Sequence, residues 1–221
     1  MPRRAAAIFD LDRTLLQVNS GSMWFRRERA AGRLPLAQAV EAAGWMGLYG
    51  LGLMKGDVAL GRAVRGIAGE EEAVVRARLD AFYDDELAGA YAPGGIAAVR
   101  AHQRAGDPTV LLTSAAAILA RRVQQELGLD AALGLELESV DGRFTGGIAQ
   151  LSFGRAKVAL AERWAEENGV DLAQSWFYSD SISDLPLLER VGRAMVVQPD
   201  LRLARVAKKR GWPVLDWGKA A

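Results

Sequence analysis

Short apolar runs that stop at polar or small residues recur along the chain. Ala5–Phe9, Thr109–Leu112, Trp176–Tyr178 and Ala194–Val197 are apolar without alternation and too short for helices, so each reads as a strand buried on both faces. The stretches between them repeat apolar residues at helical spacing. Gly94–Gln103 stops at Ala105-Gly106. Ala116–Leu127 carries Ile118, Leu119, Val123 and Leu127 on one face and stops at Gly128. Arg155–Glu167 carries Val158, Leu160, Ala161 and Trp164 and ends at Asn168-Gly169. Ser183–Val191 and Asp200–Lys209 complete the alternation. Strand and helix in turn predict an α/β fold, a doubly wound, Rossmann-like parallel sheet.

Two segments interrupt this pattern. Leu133–Val140 and Arg143–Ile148 are β-type runs around Asp141-Gly142, a dipeptide suited to the two positive φ angles of a type I′ turn, and they predict a hairpin. Residues 19–92 hold no convincing strand. Their helical patterns run over Met23–Ala31, Leu36–Met54, Val58–Ala68 and Glu70–Leu87. The expected division is an α/β catalytic core of residues 1–18 and 93–221, with 19–92 as an inserted helical cap domain. Such a cap would close on hinges near Gln17–Gly21 and Tyr91–Gly95. Gly44–Met54 is the most lipid-like stretch, but it is about half the roughly 20 residues a spanning helix needs. It predicts a buried helix and no stable membrane insertion. Asp10 cuts short the only apolar run near Met1, so no secretory signal is read and a cytoplasmic protein is expected.

Composition then narrows the chemistry. Across 221 residues, 28 Lys+Arg face 27 Asp+Glu, which lacks the basic excess of a nucleic-acid binder. The absence of cysteine excludes disulfides, thiolate metal sites and a cysteine nucleophile. His102 is the single histidine, so mechanisms needing two imidazoles have no residues. Beside Gln103 and Arg104 it reads as a surface residue. Trp24, Trp45 and Trp164 read as core, and Asp200, after Pro199, as a helix N-cap.

Ligands of an open α/β sheet gather at the carboxyl ends of its strands. There the chain places Asp10 and Asp12, then Thr113 and Ser114, then Asp180 and Asp184, with Lys157 early in the preceding helix. Four carboxylates in one crevice repel one another and would be partly protonated without a cation. Oxygen ligands without histidine or cysteine favour a hard ion, Mg²⁺. A metal, a lysine and hydroxyl donors are what a phosphoryl group with developing charge requires.

Phe9-Asp10-Leu11-Asp12-Arg13-Thr14-Leu15-Leu16 resembles the first motif of the haloacid dehalogenase-like hydrolases, an apolar strand followed by DxDxT. Thr113 matches the second motif, Lys157 the third, and Ser179-Asp180-Ser181-Ile182-Ser183-Asp184-Leu185-Pro186 resembles the fourth, with Ser179 where glycine is usual. The Asp-Arg-Thr wording, the fourth motif and Gly211-Trp212-Pro213-Val214 resemble the phosphoserine-phosphatase-like branch, subfamily IB, whose helical cap lies between the first and second motifs. The resemblance implies Asp10 as a nucleophile forming an aspartyl-phosphate and Asp12 as general acid and base. It implies Mg²⁺ on the Asp10 carboxylate, the Asp12 carbonyl and Asp180, with Asp184 ordering its waters or ligating. Thr113, the Ser114 backbone and Lys157 would grip the phosphoryl oxygens.

The expected activity is therefore Mg²⁺-dependent hydrolysis of a small-molecule phosphomonoester, a phosphorylated metabolite or a lipid phosphate, with no nucleic-acid partner. Phosphoryl transfer to an acceptor other than water, phosphoserine hydrolysis and a non-catalytic phosphate-binding role are the alternatives. Arg62 and Arg65, about one turn apart, are candidate substrate contacts. Phosphoserine phosphatases typically place a glutamate shortly after DxDxT for the substrate ammonium; here Asn19 occupies that stretch and no acid precedes Glu28. Free phosphoserine is expected to be a poor substrate.

Overall fold

Strand β1 (Ala7–Phe9) is buried along its whole length at the centre of one sheet. The computed structural model describes residues 4–34, 44 and 56–218. Among these, β2 (Thr109–Ala116), β3 (Ala131–Val140), β4 (Arg143–Gln150), β5 (Trp176–Ser179), β6 (Arg193–Val197) and β7 (Val214–Leu215) join it in the order β4-β3-β2-β1-β5-β6-β7. Every pairing is parallel except β3 with β4. The expected α/β class with a parallel sheet is the observed one.

Successive strand residues face opposite sides, which explains why these runs are apolar throughout. Phe9, Leu111 and Tyr178 enter one buried cluster; Ile8, Val110, Leu112 and Phe177 enter the other. The second cluster is covered by α6 (Arg155–Glu167), α7 (Leu185–Leu188) and α8 (Leu201–Arg210). The first is covered by α4 (Pro93–Ala105) and α5 (Ala117–Leu127), together with apolar residues of the helical block.

That block contains α1 (Ser20–Ala30), α2 (Gly56–Arg65) and α3 (Glu72–Phe82), the last continued by a wider turn over Tyr83–Leu87. The expected helix Leu36–Met54, with Trp45, lies outside the described residues except for Gly44. Val75, Leu79, Phe82, Tyr83 and Leu87 share one buried cluster with Phe9 and Leu111, so α3 packs on the sheet side of the molecule. The hairpin also reaches the block. Gly69 N–H donates to Phe144 O at 2.7 Å, Phe144 N–H to Glu70 O at 3.0 Å and Glu72 N–H to Gly142 O at 2.8 Å. The hinge expected near Tyr91–Gly95 is pinned by Ala92 N–H on Leu15 O at 2.8 Å and Gln17 N–H on Ala90 O at 2.9 Å.

The Asp-Gly turn forms as its chemistry requires, with φ of 50° at Asp141 and 74° at Gly142. Strand β2 runs four residues beyond the expected Leu112, because β3 continues to pair with it through Ala116 and Leu135 after an irregularity. The expected helix Ser183–Val191 is instead a 3-10 turn, Ile182–Asp184, followed by the single turn α7. Strand β7 was not expected from its two residues alone; its pairing with β6 seats Trp217 over Phe9 and Tyr178. Gly94 permits that seat, since a Cβ there would lie 2.5 Å from the Trp217 ring.

His102 corrects its expected place at the surface. Its ring is largely buried, with Nδ1 2.8 Å from Asp107 Oδ2 and Nε2 2.9 Å from Tyr178 Oη. Its polar neighbours misled: Arg104 is exposed and Gln103 turns to the Leu127 and Gly128 carbonyls, while His102 points inward to a tyrosine 76 residues away. Trp164 is buried and Trp24 packs edge-on against Phe82, as expected of core tryptophans.

Candidate active site

Parallel pairing of β1 with both neighbours brings the motif residues to one edge. Phe9 is opposite Leu111 and Tyr178, so Asp10, Thr113 and Asp180 leave adjacent strands on the same side. Asp10 N–H donates to Tyr178 O at 2.9 Å, tying the start of the first motif to the start of the fourth. Helix α6 delivers Lys157 from below, because its first turn begins directly before the edge at Gly154.

Lys157 Nζ donates to Asp10 Oδ1 at 2.8 Å and to Asp184 Oδ2 at 2.8 Å. All three side chains are buried. Burial pulls the ammonium towards neutrality, but the two carboxylates outweigh it and hold Lys157 above its ordinary range. Asp184 therefore does not act as a side-chain cap for α7. Its Oδ2 also accepts from Ser179 Oγ at 2.7 Å. That contact gives Ser179 a positioning part that glycine could not supply. A hydroxyl five residues ahead of Asp184 was the signal in the sequence.

Asp12 is held from the helical block. Ser20 N–H donates to its Oδ1 at 2.8 Å and Asn19 Nδ2 to its Oδ2 at 3.3 Å. Asn19 Oδ1 meanwhile accepts from Ser22 N–H at 2.8 Å, capping α1. The Asn19 amide is thus engaged with Asp12 and its own helix. Glu28 is engaged too, between Arg33 and Arg78. Burial raises Asp12, and the Ser20 hydrogen bonds oppose that rise.

Thr113 is buried within β2, where its Oγ1 accepts from Ala115 N–H at 3.1 Å and keeps its own proton to donate. Ser114 is half-buried beside it. Asp200 does cap α8, through Arg202 N–H and Leu203 N–H, and does more than that. Its other oxygen accepts from Ile182 N–H at 2.7 Å and its N–H donates to Asp180 O at 2.9 Å, pinning the fourth-motif loop. Arg62 and Arg65 are exposed on α2, which packs against β4; Gly146 of β4 lies against Arg65.

The cluster suits a divalent cation. Asp184 Oδ1 is buried without a hydrogen-bond partner. Burial, with Asp10 and Asp184 nearby, pushes Asp180 up to about 8. Burial likewise lifts Asp10 well above the carboxylate range despite its Lys157 contact. An orphaned acceptor and carboxyl groups held partly protonated are the state that a hard cation relieves. Among the described residues no three acidic or imidazole side chains already converge as a ready-made metal cage. A set of two side-chain carboxylates and one backbone carbonyl needs no such trio.

Known proteins resemble the chain over nearly its whole length. The family model for haloacid dehalogenase-like hydrolases matches residues 7–189. A phosphoserine phosphatase of Mycobacterium tuberculosis strain H37Rv is 34% identical over 221 residues, covering 96% of this chain and 71% of its own length. A histidinol-phosphatase of Neisseria meningitidis serogroup C (strain 8013) is 30% identical over 217 residues, covering 96% and 98%. The solved structure of a protein of unknown function from Bordetella pertussis Tohama I matches with a TM-score of 0.87 at 31% identity, over 97% of this chain and 99% of that one. The chain belongs to the haloacid dehalogenase-like hydrolase family and is a phosphatase.

Proposed function

We propose that the chain hydrolyses a small phosphomonoester through a phospho-enzyme on Asp10, with Mg²⁺ as cofactor. The observation that carries this reading is Lys157, buried and bonded at once to the first-motif Asp10 and the fourth-motif Asp184. The Asp10 and Asp180 carboxylates and the Asp12 carbonyl would hold the ion, with Asp184 ordering its waters or ligating. When bound, the ion supplies positive charge to the phosphoryl oxygens and keeps Asp10 ionised.

An Asp10 carboxylate oxygen attacks phosphorus while the bond from phosphorus to the leaving oxygen breaks. Asp12 gives that oxygen its proton, so the alcohol departs neutral. Asp12 then takes a proton from the attacking water, and the bond from Asp10 to phosphorus breaks to release phosphate. Lys157, the Thr113 hydroxyl and the Ser114 N–H bind the phosphoryl oxygens. Raised by burial, Asp12 is suited to enter the cycle protonated. We read residues 19–92 as the cap over a core of 1–18 and 93–221. Arg62 and Arg65 are the exposed α2 cations that could meet an anionic substrate from it.

Phosphoserine and histidinol phosphate, the substrates in the names of two relatives, are the first to assay. Hydrolysis of p-nitrophenyl phosphate that requires Mg²⁺ and disappears in Asp10→Asn supports the reading. Full activity of Asp10→Asn overturns it. Among the described residues no helix is long and apolar enough to cross a membrane.

A further inference from the structure

Asp200, at the turn from β6 into α8, reaches in two directions. Its Oδ1 accepts from Arg202 N–H at 2.8 Å and from Leu203 N–H at 2.9 Å, which caps α8. Its Oδ2 accepts from Ile182 N–H at 2.7 Å, 18 residues back along the chain, and its own N–H donates to Asp180 O at 2.9 Å. A cap needs only one side-chain oxygen, and asparagine or serine supplies it as well. Capping therefore does not explain a carboxylate with both oxygens engaged.

The two loop contacts fall on either side of Ser181, so they fix the backbone where it leaves Asp180. The far end of the loop is held separately, by Lys157 and Ser179 on Asp184 Oδ2 and by Asp184 N–H on Ser181 O at 3.1 Å. Between these ends the Ser181 and Ser183 hydroxyls bond to each other at 3.0 Å. Asp180 itself is buried, and among the described residues its carboxylate accepts no hydrogen bond. Its position is thus set through its backbone, and Asp200 holds that backbone from the next strand.

We propose that Asp200 is a positioning residue for the cation site, bonding the backbone on both sides of Ser181 so that the Asp180 carboxylate is set to ligate Mg²⁺. The inference rests on the Mg²⁺ reading and deepens it. Mg²⁺ demands near-ideal octahedral geometry and tolerates little displacement of a ligand. A ligand without a side-chain anchor therefore depends on whatever fixes its main chain. Residues that orient metal ligands in this way change affinity by about 10- to 100-fold when removed.

The test is titration calorimetry with MgCl₂ alone on wild type, Asp200→Asn, Ile182→Pro and the double variant. Asp200→Asn keeps a cap on α8, but its single carbonyl oxygen cannot serve α8 and Ile182 together. Ile182→Pro removes the N–H and leaves the Asp200 charge in place. Ser181 before it is extended, with φ −112° and ψ 139°, and Ile182 opens the 3-10 turn, a position that accepts proline. Each single variant should weaken Mg²⁺ binding about tenfold, and the double variant should weaken it no further. Leu203→Ala leaves a cavity under α8 and does not touch the loop, so it should melt below wild type yet bind Mg²⁺ as tightly. Wild-type affinity in Asp200→Asn, additive losses in the double variant, or an equal loss in Leu203→Ala overturns the proposal. A wild type that binds no Mg²⁺ would instead reject the cation reading beneath it.

Discussion

Lys157 Nζ stands 2.8 Å from Oδ1 of Asp10, across 147 residues of chain, with both side chains buried. The contact closes the sheet edge from beneath and sets the rotation of the Asp10 carboxylate. Replacing Lys157 by methionine keeps much of the volume but leaves Asp10 and Asp184 facing each other without a cation. Breaking a buried pair in this way should cost about 3 kcal/mol, read by urea denaturation in EDTA. Phosphatase turnover should fall to background, and wild-type activity of Lys157→Met would contradict the role given to the ammonium.

The metal-free protein should lose stability as pH rises. Asp180 titrates near 8 when folded against an ordinary 3.8, and Asp10 is raised as well. Between those values the folded state holds protons that the unfolded chain has released, so stability falls with pH across this window. Mg²⁺ binds the deprotonated carboxylates and competes with those protons. Differential scanning calorimetry should therefore show Mg²⁺ raising the melting temperature more at pH 8 than at pH 5. An equal rise at both would mean that the ion does not bind this cluster.

Ser179 tests how finely Asp184 is held. Its buried hydroxyl donates to Asp184 Oδ2 at 2.7 Å, beside the Lys157 contact on the same oxygen. Ser179→Ala should lower kcat about fivefold, the scale of one buried hydrogen bond, with KM little changed. Ser179→Gly should do the same, although glycine is the residue usual in this motif. Unchanged kcat in both variants would leave the hydroxyl without a part in the reaction.

Much of this site was legible in the sequence because strand-end chemistry is local. Asp10, Asp12, Asp180 and Asp184 follow apolar runs that can only be buried strands, and parallel pairing then brings them together. Lys157 was legible by motif alone, since a lysine in the first turn of a helix looks solvated until the sheet edge above it is known. His102 was misplaced for the opposite reason. Its neighbours in sequence are polar, and its partner Tyr178 is found only through the tertiary fold. Asn19 showed its absence of charge, but not that its amide would be occupied by Asp12. The bond of Ala92 to Leu15 and the packing of α3 into the central cluster have no local signal, so neither could be read from the sequence.

Those contacts predict that the α2–α3 junction does not swing away from the hairpin. Glu71 and Arg143 face each other in an antiparallel bridge, near enough in backbone for a disulfide. The chain has no cysteine, so a Glu71→Cys/Arg143→Cys pair would be the only thiols present. Oxidised and reduced forms of this variant should turn over p-nitrophenyl phosphate within about twofold of each other. A loss on oxidation that dithiothreitol reverses would show that the block must part from the hairpin during the cycle.

Asn19 serves two structures at once, and its substitutions should separate them. Its Oδ1 caps α1 through Ser22 N–H, while its Nδ2 donates to Asp12 Oδ2. Alanine removes both contacts. Asn19→Ala should therefore lose about 1 kcal/mol of stability, the usual cost of an N-cap, and should also lose turnover. Aspartate caps a helix as well as asparagine does, so Asn19→Asp should melt close to the wild type. It cannot donate to Asp12, however, and it brings a second negative charge against a carboxyl that burial already raises. Asp12 should then hold its proton more tightly, which weakens it as the acid for the leaving alcohol. Its kcat should drop about tenfold at pH 7, with the optimum displaced to higher pH. A normal profile in Asn19→Asp would show that the amide only caps α1, and the coupling drawn between that helix and Asp12 would be wrong.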